Sequence, residues 1–201
     1  MIVKEVYPRI VTLELRQEKT DPDYGSCMWA VFNFDLDRYD LHISSDCGSY
    51  SYGWVPTPKS ESFLHLIGRM DQDYFLDKIA SARIVDTEET FKKVKEYLDD
   101  VIETETASTF SKVSHGLDEY EWECIESACN CSNEYECLGA LEEVLKSTEL
   151  ADSYDRFDLA ACIEMTYTAN AKKIAEVFGK YIRPAARELD ARVKRALGEG
   201  A

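Results

Sequence analysis

Four cysteines fall within fourteen residues: Cys124, Cys129, Cys131 and Cys137. Four thiolates can hold zinc in a tetrahedron. The spacing here, C-x4-C-x-C-x5-C, lacks the C-x2-C pairs of a zinc knuckle. Cys124 also falls on a helical stripe of apolar residues, where a free cysteine behaves as a small buried hydrophobe. The spacing thus favours buried thiols over a structural metal at this group, and a disulfide within it would require an oxidising compartment. The chain has seven cysteines, an odd and scattered set. Reduced, mostly buried thiols are the expectation.

The histidines are His42, His65 and His115. Nucleophilic catalysis needs a nucleophile, a base and an orienting group in contact, and the sequence offers no such set. His42 with Asp46 or Asp35, on the polar face of a strand, is the nearest to an acid–base cluster, and a solvated strand face accounts for the same residues. Asp35, Asp37, Asp40 and Asp46 lack the glycine that a calcium loop places at its sharp turn. No GxxxxGK[ST], GxGxxG, HExxH or GxSxG motif occurs. The leading reading is of a non-enzyme with no catalytic residue, no cofactor and no metal ligand; the alternative is a metal-binding protein using the Cys124–Cys137 group or an enzyme working at the His42 face.

Binding chemistry has stronger candidates. Tyr50, Tyr52 and Trp54 share one face of an extended segment, where they either stack on a partner or lie under the first helix. Trp122 lies off the apolar stripe of its helix, between Glu121 and Glu123, and is expected to be exposed. Tryptophan is enriched at binding hot spots, so Trp122 with Glu119, Glu121, Glu123 and Glu126 forms the expected partner-binding set. The C-terminal stretch carries Arg183, Arg187, Arg192, Lys194 and Arg195, interleaved with Glu188 and Asp190. It reads as a solvated face or as a surface that meets the acidic region of a second copy in a homo-oligomer.

The net charge of −16 is unevenly placed. Residues 1–85 hold 13 Asp and Glu against 9 Lys and Arg; residues 86–155 hold 20 against 5, and residues 156–201 hold 6 against 9. Lys146 is the one basic residue between Leu117 and Asp155. Such a middle region repels a nucleic-acid backbone and favours a protein with a basic surface. No apolar run approaches the roughly 18 residues that span a bilayer, and the first residues lack the apolar block of a signal peptide. The expected location is the cytoplasm, with no membrane and no direct nucleic-acid partner.

The elements that must position these residues follow from hydrophobic periodicity. Strict alternation over 26–54 predicts an antiparallel hairpin turning at Asp37–Asp40, with Met28, Ala30, Phe32, Phe34 and Leu36 on one face. A first strand is expected over Arg9–Arg16, and Tyr50–Trp54 is expected to extend the sheet or add a fourth strand. From Ser60 onward the period becomes helical. Ser60 or Ser62, Asp71, Asp86, Ser132 or Asn133, and Ser153 or Asp155 are expected caps. Apolar stripes run through Phe91, Val94, Leu98, Val101 and Ile102, then Leu117, Tyr120, Cys124, Ile125 and Ala128. Two more run through Tyr135, Leu138, Leu141, Val144 and Leu145, and through Phe157, Ala160, Ala161, Ile163 and Met165. Residues 103–114 are expected to form a long loop, and Pro184 to break or kink the last helix. The fold class is α+β: a small antiparallel sheet of three or four strands over 1–58, then a helical majority over 59–201 packed on it as one composite domain.

The block DYGSCMWAVFNFDLDRYDLHISSDCGSYSYGW, followed by PTPKSESFLHLIGRMDQDYFLDKI, resembles the start of small phage- and prophage-encoded proteins of Gram-positive bacteria. The resemblance covers about the first eighty residues. It implies an accessory gene of a mobile element and carries over no catalytic residue. A folded, acidic protein without motifs in that context resembles anti-CRISPR and other anti-defence inhibitors, which occlude the nucleic-acid channel of a nuclease. The partner it implies is a CRISPR effector or another defence nuclease with a basic groove.

Overall fold

The structure is a computed structural model, and it describes residues 9–22, 24–56, 61–80, 82–108, 113 and 115–197. The fold is α+β. Strands β1 (Ile10–Arg16), β2 (Trp29–Asp35), β3 (Asp40–Ser45) and β4 (Gly48–Gly53) form an antiparallel meander in sequence order. Helices α1 (Phe63–Arg69) and α2 (Gln72–Ile79) follow. Then come the short strand β5 (Arg83–Val85) and α3 (Thr87–Thr106), α4 (Glu119–Ala128), α5 (Glu134–Leu145) and α6 (Arg156–Ala161). Strand β6 (Met165–Tyr167), α7 (Ala169–Val177) and α8 (Arg183–Leu197) complete the chain. The elements divide into two compact units. One holds the four-stranded sheet, α1, α2, α7 and α8; the other spans Ala82–Thr168.

In the sheet unit, alternation sets both register and core. Phe32 pairs with Ile43 and Leu13, and Phe34 with Leu41 and Val11. Ala30, Phe32, Phe34, Leu41 and Ile43 are buried on one face. Phe63 of α1 covers that face, edge-on to Phe34 and beside Tyr39 and Trp54. Trp54 is thus buried under the first helix, with its Nε1 lacking a hydrogen-bond partner among the described residues. Tyr39 departs from the polar turn expected at 37–40. It takes φ +60°, turns inward, and donates its hydroxyl hydrogen to the Glu61 carbonyl. Met28 is exposed rather than inward, because it precedes the first paired residue of β2.

The caps follow the rule that a short polar side chain accepts from an orphan helical N–H. Ser62, Asp71, Asp86, Asn133 and Asp155 all do so. The Ala82–Thr168 unit packs Val94 and Leu98 of α3, Ile125 and Ala128 of α4, and Leu138, Leu141 and Leu145 of α5 into one core. Three expectations change there. α3 continues through Thr106, so the helix takes the first residues of the expected loop, while 109–112 and 114 lie outside the described residues. Met165 belongs to β6, which pairs antiparallel with β5, and α6 ends at Ala161. Tyr120, Tyr135 and Phe157 are exposed instead of inward.

Candidate functional site

The acidic face of α4 carries the residues that the sequence singled out. Asp118 caps the helix and receives the Glu121 N–H at 2.8 Å, and Glu121 returns the contact by accepting the Asp118 N–H at 2.8 Å. This reciprocal box satisfies two orphan donors and takes Glu121 out of the free acidic face. Glu119, Glu123 and Glu126 remain exposed. Their spacing of four and three residues puts them on one stripe of the helix, as neighbours about 5–6 Å apart at Cβ. Glu96, Asp99, Asp100 and Glu103 make a second exposed stripe on α3 at the same kind of spacing.

Trp122 is not exposed as expected. It is half-buried on the core of its unit, edge-on to Phe91 at 6.3 Å between ring centroids. Lys95 sits 5.4 Å from the same ring. The contact with Phe91 of α3 accounts for the difference, since it draws the Trp122 ring onto the core of the unit. Among the described residues of this unit, the exposed aromatics are Tyr120, Tyr135 and Phe157, at 72%, 87% and 82%. A D-x-x-E signature at 118–121, with the same spacing as Asp86 and Glu89, was the sequence signal for the role of Glu121.

The charge of the two units differs sharply. Residues 82–168 hold 22 carboxylates against seven Lys and Arg, a net charge of −15, whereas the remaining chain holds 17 against 16. Several basic side chains of the acidic unit are already engaged. Lys92 pairs with Glu89, Lys93 with Glu164 and Arg156 with Glu142.

The cysteine group of this unit does not assemble. Cys129 and Cys137 are buried side by side, Cys131 is half-buried and donates to the Ala128 carbonyl, and all seven cysteines are free. Contact with Cys137, reinforced by burial, pushes the Cys129 thiol far above its ordinary range. Among the described residues, the one group whose ligating atoms all lie within 4.8 Å of one another is a different one: Cys27, Asp46 and Cys47 in the sheet unit. Cys27 Sγ lies 3.4 Å from Asp46 Oδ1, and Asp46 Oδ2 accepts the Met28 N–H at 2.8 Å. Cys47 Sγ donates to the Ser26 carbonyl at 3.3 Å. Burial, then Cys47 and Asp46, push the Cys27 thiol upward. Two thiols and a carboxylate suit a thiophilic cation, yet each group here already has a protein partner, so the cluster acts as a clasp between the β1–β2 connection and the β3–β4 turn. Cys27 and Cys47 are twenty residues apart, and only the β2–β3 register brings them together.

The His42 cluster is not formed. His42 is exposed opposite Asn33 and Ser51. Asp35 accepts the turn N–H groups of Asp37 and Arg38 at 3.0 and 3.1 Å, and Asp46 is held in the clasp.

Comparison with known proteins places this architecture in a phage context. The chain matches the phage protein family Phage_phiTE_072 over residues 9–188, and it belongs to that family. The match takes in both units, well beyond the first eighty residues on which the resemblance rested. No curated protein and no solved structure matches the chain. No helix among the described residues is long and apolar enough to cross a membrane.

Proposed function

We propose that this phage protein is a non-enzymatic inhibitor that acts in the host cytoplasm by binding a protein. In this reading the acidic unit occupies a basic nucleic-acid-binding groove, and the partner is a defence nuclease such as a CRISPR effector. The observation that carries the reading is the segregation of charge, −15 on residues 82–168 against −1 on the rest. In this reading the carboxylates Glu119, Glu123 and Glu126, exposed on α4, take the part of nucleic-acid phosphates. Electrostatic complementarity of this kind speeds encounter and disfavours wrong partners. Trp122 contributes by stiffening α4 against Phe91, and Tyr120 supplies the exposed aromatic contact beside the carboxylates.

The test is capture of the nuclease from lysate of a host carrying defence systems, followed by binding with purified components. The triple reversal E119K/E123K/E126K is expected to weaken binding by about a hundredfold, close to 3 kcal/mol, and the wild-type complex is expected to weaken steeply with salt. A nuclease that binds the triple variant as tightly as the wild type, or that keeps its nucleic acid while bound, overturns the reading.

A further inference from the structure

The pair α7–α8 is interrupted once. In a regular helix, Pro184 would lack an N–H and press its ring on the carbonyl four residues earlier. The chain instead widens into a π turn, Phe178–Ile182, and the Arg183 N–H reaches back to the Phe178 carbonyl. Phe178 stacks on Phe75 of α2 at 3.7 Å between centroids. Gly179 then lets α2 come close, since a Cβ there would sit 2.7 Å from Gln72 Oε1. Single π turns of this sort recur at functional sites.

Beside the turn lies a cavity of about 700 Å³, within the roughly 300–1,000 Å³ of small-molecule sites. Among the described residues its wall carries Lys173, Lys180 and Arg183 together with the carboxylate Glu176. Lys173 and Arg183 have no ion-pair partner among the described residues. The Arg183 guanidinium is poorly satisfied: Nη1 reaches the Met70 carbonyl at 3.5 Å, and the buried Nε meets no acceptor among the described residues. Tyr24 and Tyr181 also line the space, and Gln72 presents an amide that can both donate and accept. The lining belongs entirely to the sheet unit, so the site stands or falls apart from the acidic-inhibitor reading.

We propose that this cavity binds a nucleotide, with its phosphates on Lys173, Lys180 and Arg183 and its base against Tyr24 or Tyr181. Guanidinium and ammonium groups recognise phosphate oxygens by charge-assisted hydrogen bonds. A tyrosine ring offers a face to any base, and the Gln72 amide can read a base edge.

The test is calorimetric titration of the full chain with ATP, GTP, CTP and UTP, and with adenosine and inorganic pyrophosphate as controls. At least one nucleotide is expected to bind one to one, with adenosine and pyrophosphate each at least about tenfold weaker. K173E/K180E is expected to weaken that nucleotide by about tenfold or more while circular dichroism stays unchanged. Should that variant unfold, Y24A/Y181A takes its place, losing affinity for the nucleotide and leaving the response to pyrophosphate as in the wild type; full nucleotide affinity in that variant also overturns the proposal. Absence of binding by all four nucleotides overturns the proposal. So do pyrophosphate binding as tight as the best nucleotide, and full nucleotide affinity in folded K173E/K180E.

Discussion

The two units solve the same folding problem with opposite uses of charge. In the sheet unit, carboxylates are matched. Asp37 pairs with Arg9, Glu61 with Arg69, and the buried Asp190 with Lys194. In the acidic unit a few carboxylates cap helices or meet a lysine, and the stripes Glu96–Asp99–Asp100–Glu103 and Glu119–Glu123–Glu126 are left exposed. Its fold does not draw on those stripes: the core beneath is apolar, from Val94 and Leu98 to Leu141 and Leu145. Charge segregated onto one core, at the cost of self-repulsion, is charge free to serve recognition.

The largest effects that can sharpen this contrast are in the cores. Phe75→Ala removes the ring stacked on Phe178 and should cost the sheet unit about 3–5 kcal/mol, and Leu141→Ala should cost the acidic unit about 2–5 kcal/mol. Hydrogen exchange should place the first loss mainly in α2, α7 and α8 and the second mainly in α3–α5; equal loss throughout both units for either variant would erase the distinction. Next comes Gly68→Ala. A Cβ there would lie 2.7 Å from Arg187 Cγ and 3.4 Å from the Arg187 backbone N, so α1 and α8 must part, at about 1–3 kcal/mol. An unshifted denaturant midpoint would show that the close approach is not needed.

Asp190 comes third and gives the sheet unit a pH signature. Burial raises its pKa, but hydrogen bonds from Lys194, Ser62 and His65 outweigh that and hold it below the ordinary value. A depressed carboxylate contributes stability that is complete above the unfolded value of about 3.9 and is lost as pH falls through the folded value. Asp190→Asn should cost about 1–3 kcal/mol at neutral pH and flatten the acid limb of a stability–pH curve. An acid limb identical to that of the wild type counts against the assignment.

The smallest effect belongs to the acidic stripe. Neutralising it, E119Q/E123Q/E126Q, should leave the acidic unit unchanged or stabilise it by a few tenths of a kcal/mol, because like charges at i, i+4 repel. Loss of more than about 1 kcal/mol would mean that these carboxylates hold the fold.

Local rules made much of the molecule legible. Period-two alternation from Trp29 to Ser45 determined the hairpin and its buried face, since a one-residue slip would expose Phe32 and Phe34. Short polar residues before apolar runs determined the starts of α1, α2, α3, α5 and α6. Pro184 determined that the last helix could not run on regularly. Three features depended on contacts that no local window contains. Strands β5 and β6 are three residues each, too short for a period, and pair across some eighty residues. Cys27, Asp46 and Cys47 meet only through strand register. The rotation of α4 that half-buries Trp122 and exposes Tyr120 was set by which face met Phe91. The sequence by itself settled the local propensities, the caps and where the charge lies along the chain. The tertiary structure decided which distant side chains share a core, a clasp or a cavity, because those depend on packing between segments far apart in sequence.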